Sequence, residues 1–152
     1  MSRNFGILLA AHGTLAQAAL ESLVMLMGPQ KGIETVALFP NMGREELRCI
    51  MEEKLEVLAQ YNKVLIVADL VGGTPANVAA ELIAERTELQ LVGGANMGFL
   101  CELAGMEELD EKVLAELLEA AHSGMQDLGT KLRSLLQKAG QELGLSNSAS
   151  DL

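Results

Sequence analysis

Aromatic residues and cysteines are scarce in this 152-residue chain. It has no Trp, one Tyr, three Phe and two Cys. So few aromatic rings cannot build the stacking platforms on which single-stranded nucleic acids are bound. Cys49 and Cys101 lie far apart in sequence and fit neither a disulfide framework nor a metal-ligand spacing. We therefore expect two reduced, mostly buried thiols.

The chain also has few positively charged residues and no long apolar run. Lys and Arg total 11 and Asp and Glu total 21, which gives a formal net charge of −10. A surface of this charge repels a phosphate backbone, so nucleic acid is excluded as a partner class. The apolar run near the N-terminus is too short for a membrane helix or a signal peptide. These features predict a soluble, cytoplasmic protein.

The composition is otherwise that of a globular domain, with 49% apolar and 21% charged residues. One hydrophobic core suits a chain of this length, and we predict a single domain over residues 1–143. The stretch after it, 144–152, consists of small and polar residues and predicts a flexible C-terminal tail.

Short apolar runs alternate with helical patterns along the chain. The runs at 5–11, 33–39, 63–68 and 89–93 predict buried strands. Apolar residues three and four positions apart predict helices between the strands and after the last one, to about residue 139. This alternation favours an α/β fold with a doubly wound, mainly parallel four-stranded sheet and helices on both faces. The strand order we predict is 2-1-3-4.

Polar residues stand where these strands end. His12 ends the first predicted strand, Asp69 the third, and Asn96 follows the fourth. Parallel strands place their carboxyl ends at one rim of the sheet, where ligands collect at the switch point between the first and third strands. His12 either satisfies local hydrogen bonds or serves as a base or nucleophile. Asp69 either caps the next turn or accepts a hydrogen bond from His12, and the predicted strand order favours the second role.

A glycine-rich turn follows Asp69. In Gly72-Gly73-Thr74-Pro75, Thr74 suits the N-cap of a helix and Pro75 its first helical position. Such a helix start is either a plain strand-to-helix connection or an anion site formed by backbone amides. The second histidine, His122, has the position of a residue at a helix C-terminus. Because no second His or Cys stands at metal spacing near His12, we expect no metal. We also expect no cofactor.

Three motifs together resemble a known family. They are Ile7-Leu-Leu-Ala-Ala-His12-Gly13, Val67-Ala-Asp69-Leu-Val-Gly72-Gly73-Thr74-Pro75-Ala-Asn77 and Val92-Gly93-Gly94-Ala95-Asn96-Met97. In order and spacing they are similar to the enzyme IIA components of the mannose class of sugar phosphotransferase systems, which serve mannose, fructose, sorbose or N-acetylgalactosamine. The resemblance covers about residues 5–138.

The resemblance implies a phosphotransferase component that forms a phosphohistidine. His12 would take a phosphoryl group from the histidine-containing phosphocarrier protein and pass it to a IIB component, which links it indirectly to the membrane components IIC and IID. Asp69 would orient His12. Gly13, Gly72, Gly73, Thr74 and Asn96 would line the phosphate site. The family's members are typically dimers, so the resemblance also implies a homodimer, with an extra strand exchanged between copies as one way to form it.

The chain departs from the family pattern in two places. Gly98 stands where the family often has Pro, and the loop 40–43 is this chain's own. Both departures affect the inference about which protein docks here, and they leave the inference about the phosphoryl chemistry unchanged. For docking we expect a shallow apolar rim formed by Phe39, Met42, Met97 and Phe99.

Two other classes compete with a phosphocarrier. One is a regulatory or small-molecule-binding module of flavodoxin-like fold, in which His12 is a sensor residue. The other is a hydrolase that uses His12 and Asp69, but the sequence has no G-x-S-x-G nucleophile motif.

Overall fold

The computed structural model describes residues 3–149, with side chains through residue 144. A parallel sheet forms the centre of the fold. Its strands are β1 (Gly6–His12), β2 (Ile33–Leu38), β3 (Val64–Ala68) and β4 (Leu89–Gly93). They are arranged in the order β2-β1-β3-β4, and every neighbouring pair is parallel. The predicted sheet and its 2-1-3-4 order are confirmed.

Helices connect the strands and continue after β4. They are α1 (Leu15–Met27), α2 (Arg44–Val57), α3 (Thr74–Glu85), α4 (Met97–Ala104), α5 (Glu111–His122) and α6 (Leu128–Ala149). Gly28, with φ of 81°, ends α1 in a left-handed conformation, and Pro29 follows it. Among the described residues, no helix has both the length and the apolar character that a membrane span requires.

The two faces of the sheet carry two separate cores. Alternate residues of β1 point in opposite directions, so Ile7 and Leu9 pack towards α1, α4 and α5. Leu8 and Ala10 pack towards α2 and α3. Because every residue from 64 to 68 of β3 is buried, the strand reads as a continuous apolar run rather than an alternating one. His12, two positions beyond Ala10, continues the face that α2 and α3 cover.

The chain divides into two compact units. One compact unit ends at His122 and contains the sheet, and a second begins at Ser123 and contains α6. The predicted end at residue 143 falls inside α6, which continues to Ala149. Apolar residues recur along 128–143, so the helical pattern has no break at 143. The flexibility predicted for 144–152 stays a prediction, and residues 150–152 lie outside the described part.

Two expectations about burial are wrong. Phe99 is only 2% exposed and belongs to the core, because it lies on the inner face of α4, so it is no part of an apolar rim. Cys49 is exposed, and Cys101 is partly buried; both are free thiols. Cys49 lies on the outer face of α2, between the inward-facing Leu47 and Met51.

Substitution of Leu65 tests whether β3 lies at the centre of the core. Its side chain is fully buried, so Leu65→Ala removes apolar contacts and leaves a cavity, and we expect a loss of about 2–5 kcal/mol in the free energy of unfolding. Leu26, which is 60% exposed on α1, is the matched control, and Leu26→Ala should change that free energy by less than about 0.5 kcal/mol. Urea unfolding measures both. Equal losses in the two variants would contradict the arrangement of the core.

Candidate functional site

His12 and Asp69 meet at the carboxyl edge of the sheet. β1 and β3 are neighbours, with Ala10 paired to Ala68, so the residues that follow them emerge side by side. The backbone N–H of His12 donates to Oδ2 of Asp69 at 3.0 Å. The ring atom Nδ1 of His12 lies 2.9 Å from Oδ2 and 3.2 Å from Oδ1 of the same carboxylate. Of the two roles considered for Asp69, the structure therefore supports the contact with His12.

This contact settles which ring nitrogen carries hydrogen in the neutral imidazole. An ionised carboxylate only accepts hydrogen bonds, so Nδ1 is the donor and Nε2 keeps a free lone pair. The His12 side chain is 44% exposed, whereas that of Asp69 is 14% exposed. The site thus presents a nucleophilic nitrogen to the surface and holds a carboxylate behind it.

The hydrogen bonds from His12 also act on the acidity of Asp69. Burial at the strand end raises the pKa of the carboxyl group. The backbone and ring hydrogen bonds from His12 and the charge of its ring lower that pKa, and together they outweigh the effect of burial. The net result is a pKa below the ordinary value for Asp. The carboxylate is therefore ionised throughout the neutral range.

A cavity of about 400 Å³ opens beside the imidazole, and we call it the His12 pocket. It lies between the strand ends and the starts of α2 and α3. Its lining residues come from three connections of the fold; they are His12, Gly13, Leu38, Phe39, Pro40, Met42, Arg44 and Thr74. Of the predicted site residues, the pocket thus brings Gly13 and Thr74 to His12. Phe39 and Met42 of the predicted rim also line it.

The glycine-rich turn lies directly against the ring. A Cβ atom on Gly73 would stand 2.9 Å from Cε1 of His12, so only glycine at this position lets the imidazole pack there. Gly72 has φ of 77°, in the left-handed region that glycine favours. Its carbonyl accepts a hydrogen bond from the Asn77 side chain at 3.1 Å, which holds the turn to α3.

The capping role predicted for Thr74 is wrong. Gly73 occupies the N-cap, and Thr74 is the first residue of α3, ahead of Pro75. Since glycine accepts the extended N-cap conformation without cost, the hydroxyl of Thr74 is not needed there and lines the pocket instead. Thr14 occupies the N-cap of α1, likewise without a capping hydrogen bond from its side chain.

Asn96 is not among the residues that line the His12 pocket. Its side-chain oxygen Oδ1 accepts from the backbone N–H of Phe99 at 2.9 Å, which caps α4. Its amide donates to the carbonyl of Ala121 at 3.1 Å. Together with Asp69 it borders a second, mostly apolar cavity of about 340 Å³ between α1 and α4. Both ends of the Asn96 side chain are therefore engaged in holding α4 and α5.

Arg44 is a charged lining residue that the sequence pattern did not indicate. It is the first residue of α2, and its guanidinium pairs with Glu81 of α3. The available signal was its place in the chain, because β2 lies next to β1 and the connection after β2 must reach the same rim.

Within residues 3–149, no three His, Cys, Asp or Glu side chains gather closely enough to hold a metal ion.

The part of the chain that carries His12, Asp69 and the 2-1-3-4 sheet matches a known family. The model of the family described as "PTS system fructose IIA component", where PTS denotes the phosphotransferase system, matches residues 6–122. The chain belongs to this family. It is a IIA component of the mannose class, as its motifs predict, and α6 lies beyond the matched residues.

Curated relatives agree with this membership. The chain is 27% identical over 135 residues to the fructose-specific EIIA component of Bacillus subtilis, covering 89% of this chain and 84% of that protein. It is 25% identical over 131 residues to the mannose-specific EIIAB component of Escherichia coli, covering 84% of this chain and 41% of that protein.

Solved structures agree as well. A IIA protein associated with the fucose utilization operon of Streptococcus pneumoniae has a TM-score of 0.78 at 27% identity, covering 86% of this chain and 98% of that one. The mannose/sorbose-specific IIA subunit of Enterococcus faecalis has a TM-score of 0.72 at 26% identity, covering 83% and 94%. The fold of the sheet unit is thus that of phosphotransferase-system IIA proteins.

The lowered pKa of Asp69 makes stability depend on pH in a defined direction. Since the pKa is lower in the folded than in the unfolded chain, the ionised carboxylate stabilises the fold above about pH 4. That contribution is lost as the pH falls through the folded-state pKa. We expect Asp69→Asn to lower the melting temperature at neutral pH. On acidification to about pH 3, the melting temperature of this variant should fall less than that of the native protein. Parallel losses in the two proteins would contradict the ionised contact.

Proposed function

We propose that the chain is a phosphocarrier of a sugar phosphotransferase system. In this proposal His12 accepts a phosphoryl group from the histidine-containing phosphocarrier protein and passes it to a IIB component during sugar uptake. The observation that supports this most strongly is the contact of Nδ1 with Asp69, which leaves Nε2 as a free nucleophile beside an open pocket. Membership of the IIA family agrees with it.

The proposed transfer exchanges one nitrogen–phosphorus bond for another. The lone pair on Nε2 of His12 attacks phosphorus, the bond from phosphorus to the donor's histidine nitrogen breaks, and its electron pair stays on that nitrogen. Nδ1 keeps its hydrogen, so the positive charge that the ring gains lies against the carboxylate of Asp69. Transfer to IIB repeats the exchange, with IIB supplying the nucleophile.

The start of α3 is suited to the phosphoryl group. Amides in the first turn of a helix have no carbonyl partner within the helix and attract anions. Gly73 and Thr74 begin this turn beside His12, and Gly13 and Gly72 keep the adjoining backbone free of side chains. We assign these four residues to the lining of the phosphate site. For Asn96 the contacts favour a supporting role through α4.

Both proposed partners are proteins that dock in turn. Phe39 is 47% exposed beside the pocket and gives the rim apolar contact area, with Met42 next to it. A charge of −10 favours basic protein surfaces and disfavours nucleic acid. Because the carrier contacts only proteins, sugar choice lies with the membrane components IIC and IID, which it serves indirectly through IIB. This role places it in the cytoplasm.

Labelling with phosphate tests the proposal directly. Incubation with the phosphocarrier protein and its phosphoenolpyruvate-dependent kinase should add one acid-labile phosphate per chain. His12→Ala should abolish the label, because it removes the nucleophilic nitrogen. His122→Ala is the matched control and should label fully, since His122 lies at the end of α5. Full labelling of the His12→Ala protein would exclude His12 as the acceptor.

Gly73 tests the packing of the imidazole. Its φ of −70° and ψ of 162° suit alanine, so Gly73→Ala should fold but displace the His12 ring and slow labelling by roughly tenfold or more. Gly43, the N-cap of α2, has nearly the same backbone conformation and open space around it, so Gly43→Ala serves as control. Equal labelling rates in the two variants would show that the turn does not position the ring.

We further propose that the carrier is a homodimer, with an exchanged strand as one means of association. The outer edge of β4 supports this, because in the sheet order β4 has a single neighbour and an unpaired edge invites another chain. Light scattering at micromolar concentration should give twice the 16.2 kDa of one chain. A single species of 16.2 kDa would contradict the dimer.

A further inference from the structure

The His12 pocket contains one permanently charged cation among its lining residues. Apart from His12, the lining side chains are uncharged except for Arg44. A phosphoryl group on His12 would bring about two negative charges into this pocket. Backbone amides carry only partial positive charge, so Arg44 is the group able to offset a full charge there.

Arg44 is held in a pairing that is easily exchanged. Its guanidinium contacts Oε1 of Glu81, and the two side chains are 50% and 49% exposed. Exposed ion pairs contribute little to stability, because water solvates both partners well. A phosphoryl group on Nε2 is a stronger ligand, since it offers several charged oxygens to the planar guanidinium.

Glu81 also has a second cation nearby. Nη1 of Arg48, one turn further along α2, lies 3.9 Å from Oε2 of Glu81, and Nη2 of Arg48 pairs with Glu85 at 2.6 Å. Departure of Arg44 therefore leaves Glu81 beside a positive charge. Arg48 itself is not among the residues that line the His12 pocket, although it belongs to the same helix and the same ion-pair cluster.

We infer that Arg44 binds the phosphoryl group on His12, exchanging Glu81 for the phosphoryl oxygens when the group arrives. This inference rests on the proposed function. Arg44 neither gives nor takes a proton; its charge offsets the negative charge of the phosphoryl group while the bond to Nε2 forms and the bond to the donor breaks. While His12 is unmodified, Glu81 is only a competing partner for the guanidinium.

A purely structural role for Arg44, as a clip between α2 and α3, makes a different prediction. In a clip, removing either partner breaks the same contact, so Arg44→Gln and Glu81→Gln should act alike. For a phosphoryl-binding residue the two variants should differ. Arg44→Gln removes the ligand of the phosphoryl group, whereas Glu81→Gln only removes its competitor.

The experiment measures single-turnover labelling of the full chain. Arg44→Gln should slow labelling roughly 10- to 100-fold, the range for loss of one charge-assisted hydrogen bond. Arg44→Lys, a point charge without the planar fork, should fall between Arg44→Gln and the native protein. Glu81→Gln should label at the native rate or faster, and Arg48→Gln at the native rate. Thermal melts verify that all four variants fold.

A small donor separates contact with phosphate from contact with the partner. With phosphoramidate in place of the phosphocarrier protein, Arg44→Gln should remain slow. Slowing that occurs only with the protein donor, native-rate labelling of Arg44→Gln, or equal slowing of Arg44→Gln and Glu81→Gln would each overturn the inference. In these cases native His12 still labels, so the proposed function survives. Absence of label on native His12 would instead overturn the proposed function, and this inference with it.

Discussion

The hydrogen bond between His12 and Asp69 is the interaction on which the site depends. It joins the ends of β1 and β3, and it uses both the backbone N–H and the ring of His12. The two strands are central in the sheet and buried on both faces, so the carboxylate and the imidazole are held at the ends of close-packed strands. The remaining parts of the site are connections that the same rim brings together.

The pairing of His12 with Asp69 could be predicted because it follows from strand order. Apolar runs of five to seven residues mark parallel strands, and the order 2-1-3-4 makes the first and third strands neighbours. Two polar residues that end neighbouring parallel strands therefore lie side by side. The same reasoning places the turn at Gly72 and Gly73 beside them. These features depend on backbone topology, which the hydrophobic pattern encodes.

Features that depend on side-chain direction could not be predicted in the same way. Arg44 begins α2, and the hydrophobic pattern of this helix does not show that its first polar side chain lines the pocket. Thr74 has the residue type of an N-cap, but Gly73 fills that position. Phe99 was expected at the apolar rim, whereas the turn of α4 carries it into the core.

The most direct test of the account is the state of the His12 ring before and after phosphoryl transfer. Long-range ¹H–¹⁵N spectra of the protein at neutral pH distinguish the two ring nitrogens and show which one carries hydrogen. The account predicts hydrogen on Nδ1 and a free Nε2 in the unmodified protein, and phosphorus on Nε2 with hydrogen retained on Nδ1 after labelling. Hydrogen on Nε2 in the unmodified neutral ring, or phosphorus on Nδ1 after labelling, would contradict it.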